Sequence, residues 1–110
     1  MGLRVAVASN DGRIVNQHFG RTNKFFIFDI DGDTTYKFLE IRETTPVCSL
    51  GVHDDDALQK TIELLEDCNI VFVSRIGPGA EHALKIKGIQ TYEMFDYIDN
   101  SLKNLASMNL

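Results

Sequence analysis

The stretch that most limits the fold of this chain is Arg4 to Gly20, RVAVASNDGRIVNQHFG. Residues 4–9 form a short apolar, β-branched run in which Ala6 and Ala8 are small, as suits a central strand with helices packed close on its faces. Asn10-Asp11-Gly12 then supplies turn chemistry: glycine tolerates positive φ, and Asn or Asp can bond their own backbone. The chain should reverse there and leave His18 in a loop at one rim of a sheet. A lone histidine in such a loop is most often a plain polar residue.

The rest of the chain supplies partners for that strand. Lys24 to Ile30, KFFIFDI, is dense in aromatic and β-branched residues, and Asp31-Gly32-Asp33 turns it into Thr34 to Arg42, TTYKFLEIR, an outer antiparallel strand. Glu43 to Asp54 holds Pro46 and Gly51 and shows no periodicity, so it reads as a loop of the length that often carries function. Asp54-Asp55-Asp56 offers an N-cap and first-turn acids to a helix with Leu58, Ile62 and Leu65 on one stripe, which Cys68 continues. Asn69 to Arg75, NIVFVSR, is apolar enough for a strand covered on both faces. Gly77-Pro78-Gly79 breaks it and opens a helix from Ala80 to Lys87, which Gly88 ends. Ile89 to Met94 is a last strand, and Asp96 caps a helix with Ile98, Leu102 and Leu105 on its core side. The order βββαβαβα predicts an α/β three-layer sandwich around a mixed five-stranded sheet.

The 110 residues, 44% of them hydrophobic, are enough for a single domain over 1–110 and too few for two. A net charge of -5 with thinly spread Lys and Arg argues against nucleic acid as a partner. No long apolar run or signal-peptide pattern is present, so membranes are not expected, and the cytoplasm is the expected compartment. Cys48 and Cys68 are then expected to be reduced.

Two motifs, NQHFGR at Asn16 to Arg21 and VSRIGPGA at Val73 to Ala80, occur in that order with a Cys/His loop between them. With their flanks they resemble, over nearly the whole chain, the dinitrogenase iron-molybdenum cofactor biosynthesis family, which includes NifX-type carriers and the C-terminal domain of NifB. The resemblance implies a ribonuclease H-like fold and the binding of preformed iron-sulfur or molybdenum-containing clusters. It points first to His18.

The chemistry of the chain limits how a cluster could be held. A protein-built iron-sulfur centre usually takes about four thiolates, and there are only two cysteines. A preassembled cluster needs fewer anchors, so His18, Cys48 and His53 are candidate metal ligands. Arg21 and Arg75 could complement an anionic cluster, as could the backbone at Gly77 and Gly79 opening the next helix. Plainer readings exist for each: Arg75 can pair with an acid, the GPGA turn can be strand-to-helix geometry, and His82 is a solvated helix residue. The expectation is a non-catalytic carrier of a metallocluster, working with cofactor-assembly proteins. The alternatives are a regulatory protein-binding module and a metal-dependent hydrolase built on Asp54 to Asp56, which a helix N-cap explains more simply.

Overall fold

The computed structural model describes residues 2–31, 35–49, 52–53 and 55–108. Strand β1 (Leu3–Ala8) is followed by β2 (Lys24–Ile30) and β3 (Tyr36–Glu43), and then by a small hairpin of β4 (Cys48–Ser49) and β5 (Val52–His53). Helix α1 (Asp55–Leu64), β6 (Ile70–Val73), α2 (Pro78–Ile86), β7 (Gln90–Glu93) and α3 (Ile98–Met108) complete the chain. The five long strands form one sheet in the order β3-β2-β1-β6-β7. Pairing is antiparallel from β3 to β1 and parallel from β1 to β7, so the sheet is mixed.

Period-two alternation divides the core between the two faces of the sheet. Ala6 and Ala8 of β1, Phe25 and Ile27 of β2, and Val71 and Val73 of β6 face one side, where Ile62 of α1 and Ala80 and Leu84 of α2 pack with Leu65. Val5, Val7, Phe28, Ile30, Ile70 and Phe72 face the other, under Ile98, Leu102 and Leu105 of α3. The small alanines thus lie under the two-helix layer and the larger valines under the single helix. Removing each such large side chain from water contributes about 1.5–3 kcal/mol.

Several boundaries differ from the sequence expectation. The segment read as an aperiodic loop contains the β4–β5 hairpin, whose two-residue strands are too short to show a period. Helix α2 starts at Pro78 and not Ala80, with Gly77 as N-cap, because proline's fixed φ and missing N–H suit the first helical position. Asp96 is not the cap of α3. Its carboxylate accepts the neighbouring N–H of Tyr97 at 2.7 Å, and the helix begins at Ile98. The middle of the Asp31-Gly32-Asp33 turn and the Asp54 N-cap lie outside the described residues, while Asp55 and Asp56 do occupy the first turn of α1. Gly88, at φ 80°, ends α2 in the left-handed conformation.

Around Asp67, just past the end of α1, five charged groups interlock. Arg4 Nε meets Asp29 Oδ1 at 2.9 Å and its Nη1 meets Asp67 Oδ2 at 2.8 Å, while Arg42 meets Asp67 Oδ1 at 2.6 Å and Glu40 Oε2 at 2.8 Å. The Arg42 guanidinium, helped by Arg4, holds the Asp67 carboxyl well below the usual carboxylate range. Beside it, Cys68 is buried in the two-helix core, and burial pushes its thiol from 9.0 up to about 12.

Two outcomes follow for Cys68. Iodoacetamide should leave it unlabelled in the native protein and label it in denaturant, read by mass mapping of its peptide. The folded state also keeps a proton that the unfolded chain releases near pH 9, so this contribution is complete below that pH and is lost as pH rises toward about 12. Between pH 9 and 11 the thermal midpoint should therefore fall less steeply for Cys68→Ala than for the wild type.

Candidate functional site

The residues after β1 do not return directly to the sheet; they cross its rim. Gly12 has φ 74°, and a side chain there would sit 2.7 Å from the Phe26 ring, so only glycine fits the turn. The Asp11 carboxylate accepts the N–H groups of Arg13 at 2.9 Å and Ile14 at 3.2 Å, the Asx-type closure that Asn10-Asp11-Gly12 predicts. The segment is then tied down on both sides. Val15 N–H donates to Asp96 C=O and Ile98 N–H donates to Arg13 C=O on the α3 side. On the other side, Ser74 N–H donates to Gln17 C=O and Phe19 N–H to Arg75 C=O, which brings His18 beside Arg75.

Between these two segments lies an open cleft of about 700 Å³, walled by His18, Phe19, Gly20, Arg21, Val47, Arg75 and the Ile76–Ala80 entry to α2, with Glu93 at the side. All five residues expected from the motifs to contact a cluster, His18, Arg21, Arg75, Gly77 and Gly79, line it. His18, Arg21 and Arg75 are exposed, whereas Phe19 beneath them is buried and packs its ring against Phe25 at 5.9 Å. The floor is apolar and the lip is cationic. Among the described residues no acid lies within ion-pair distance of Arg21 or Arg75.

Gly77 caps α2 without any side-chain hydrogen bond, so the first amides of the helix have no side-chain partner. A Cβ placed on Gly77 or Gly79 would meet nothing within 4 Å. The fold therefore does not itself demand glycine at either position.

The expected ligands Cys48 and His53 fall on the β4–β5 hairpin, where their Cα positions pair directly across the strands. Val47, immediately before, is buried in the core and forms part of the cleft wall, so the hairpin backbone starts at the cleft. Among the described residues no group of three or more His, Cys, Asp or Glu stands together as a metal site. A second cleft, also about 700 Å³, lies between α2 and β7 with Glu81, His82, Lys85 and Tyr92 on its walls. Of the motif residues it takes in only Pro78, and its His82 is an exposed helix residue, so the cleft at His18 is the stronger candidate.

Phe19, Val47, Ile76 and Glu93 were not singled out from the sequence. Phe19 falls inside the NQHFGR motif and Val47 inside the segment read as a loop, and neither carries a signal of its own. Glu93 carries no local signal at all, because its partner, the Ile76 N–H at 2.9 Å, is 17 residues away.

Comparison with known proteins bears on the same segments. The family described as dinitrogenase iron-molybdenum cofactor matches residues 1–108. The chain belongs to that family. Relatives include the FeMo cofactor biosynthesis protein NifB of Frankia alni, 36% identical over 106 residues covering 94% of this chain and 21% of the relative. Protein NifX of Azotobacter vinelandii is 32% identical over 88 residues, covering 80% of this chain and 54% of the relative. The chain thus spans about a fifth of the length of NifB and about half that of NifX. Among solved structures, PH0822 superposes with a TM-score of 0.73 at 25% identity, over 96% of this chain and 91% of the other. MJ0327 of Methanocaldococcus jannaschii gives 0.66 at 14% identity over 100% and 93%, a likeness of fold alone. No helix among the described residues of this family member is long and apolar enough to cross a membrane.

Because Gly79 faces open space inside a helix, Gly79→Ala should leave the thermal midpoint unchanged or raise stability by up to about 1 kcal/mol. Thermal unfolding followed by circular dichroism measures this, and a clear loss of stability would mean that the fold needs this glycine.

Proposed function

We propose that the His18 cleft carries a preformed iron-sulfur or molybdenum-containing cluster as cargo, without catalysing a reaction on it, as an accessory step in metallocofactor assembly. The observation that carries this reading is the convergence of His18 with two exposed guanidinium groups, Arg21 and Arg75, that have no ion-pair partner among the described residues, over an apolar floor. A sulfide-rich anionic cluster asks for that combination: one or two exchangeable ligands, cationic hydrogen-bond donors, and a surface that sheds water. The glycines add to it. Since the fold leaves Gly77 and Gly79 sterically free, backbone close to a bulky cargo gives a reason for their small size.

Membership of the family and the role of NifB in FeMo cofactor biosynthesis support a place in that assembly. Cys48 and His53, paired in register on a hairpin that starts at the cleft wall, are proposed as further ligands to the cargo. The ribonuclease H-like description belongs to the same reading, supported by the mixed sheet with helices on both faces. Metal-dependent hydrolysis fits less well. Among the described residues the cleft contains one carboxylate, Glu93, already engaged by a backbone amide, and β1 carries no acid.

Two measurements test this. Supplied anaerobically with a preformed cluster, the protein should bind it, and His18→Ala should weaken binding by roughly tenfold or more, as loss of a ligand does. Unchanged affinity would remove His18 from the site. With Mg²⁺ or Mn²⁺ the protein should turn over neither nucleic acid nor phosphate esters; turnover abolished by Asn at positions 54–56 would overturn the carrier reading.

A further inference from the structure

Glu93 ends β7 opposite Val73 of β6, and the next residue, Met94, donates its N–H to Val73 C=O at 2.8 Å. From this fixed point the Glu93 carboxylate reaches the neighbouring loop and accepts the Ile76 N–H through Oε2 at 2.9 Å. Ile76 is where the chain leaves β6 and turns into α2. Upstream, the bonds of Ser74 N–H to Gln17 C=O and Phe19 N–H to Arg75 C=O hold the same wall; downstream, Gly77 begins the helix with no side-chain cap. The Glu93 bond is thus the tie at the turn itself.

The chemistry of the tie is informative. Any acceptor of the right length would satisfy one amide, and an uncharged glutamine would do so without cost to an anionic cargo. A carboxylate instead sets one negative charge against the two positive charges of Arg21 and Arg75, leaving the charged side chains of the cleft, among the described residues, at a net of one positive. We infer that Glu93 is a positioning residue of the cleft, holding the Arg75–Gly77 wall, and that its charge moderates the hold on an anionic cargo so that the cargo can be passed on. The second half rests on the proposed carrier function; the first does not.

The test compares wild type, Glu93→Gln and Glu93→Ala. Amide exchange at Ile76, read by NMR, should quicken by about tenfold in Glu93→Ala, as loss of a hydrogen bond to a charged group implies, and by less than about twofold in Glu93→Gln. Unchanged exchange in Glu93→Ala would overturn the positioning role. Tetrathiomolybdate, a soluble metal-sulfide dianion, then probes the charge. Glu93→Gln should bind it about three- to tenfold more tightly than wild type in low salt, with the difference shrinking as ionic strength rises. Glu93→Ala, lacking the tie, should bind more weakly than Glu93→Gln. Equal binding by wild type and Glu93→Gln in low salt would overturn the moderating charge. If none of the three binds the probe while Ile76 responds as expected, the positioning role stands and the anionic-cargo reading falls.

Discussion

The structure depends on β1 being bonded on both edges and buried on both faces. All six of its residues pair antiparallel with β2, Val5 to Val7 also pair parallel with β6, and Val5 to Ala8 are wholly inaccessible. A strand so enclosed cannot leave a polar backbone group unpaired, so the ladder must be complete and both faces must be covered by helices. That requirement sets the three layers. It also sets the direction of the chain, since the parallel partner β6 must end at the same rim as β1 and so delivers its loop beside the one that follows Ala8.

The cleft is a consequence of that adjacency. Two irregular segments, 9–23 and 74–77, emerge at one rim and are stitched to each other through Gln17, Phe19, Ser74 and Arg75 by main-chain hydrogen bonds. Because those bonds are made by the backbone, the side chains of His18, Arg21 and Arg75 are not consumed in holding the loops together and remain at the surface. Phe19 anchors the arrangement from below. A site built on a rigid sheet end with its polar groups left over is the usual way for loops to carry function.

How much of this was legible in the sequence varied with the kind of signal. Strong periodicity located the long strands and the three helices, and the small Ala6 and Ala8, expected to let helices pack close, do lie under a helical layer. The HFG and GPGA motifs identified residues that do line one cleft. What failed was whatever had no local pattern: the two-residue strands around Cys48 and His53, the helix start that Pro78 rather than Ala80 defines, and the supposed cap at Asp96, whose carboxylate turns to its own neighbour. Glu93 is the clearest case. On a short exposed edge strand it reads as a solvated acid, and only the parallel register that puts β7 next to β6 brings it to the Ile76 amide.

The distribution of charge makes the two ends of the sheet differ in kind. Around Asp67, Arg4 of β1 and Arg42 of β3 are each matched to acids, and with much of Asp67 still open to solvent such pairs contribute little to stability while locating β1, β2, β3 and the end of α1 relative to one another. At the opposite rim, Arg21 and Arg75 have no acid within ion-pair distance among the described residues, although the chain as a whole is acidic, at -5. Leaving guanidinium groups unmatched in an acidic protein confers no packing advantage, since both are exposed. The same two residues beside a histidine and an uncapped helix start do make sense as a locally positive surface, which attracts an anion against the repulsion of the protein's overall charge. Attraction of that kind is short-ranged and salt-dependent, which is what the proposed carrier role would require.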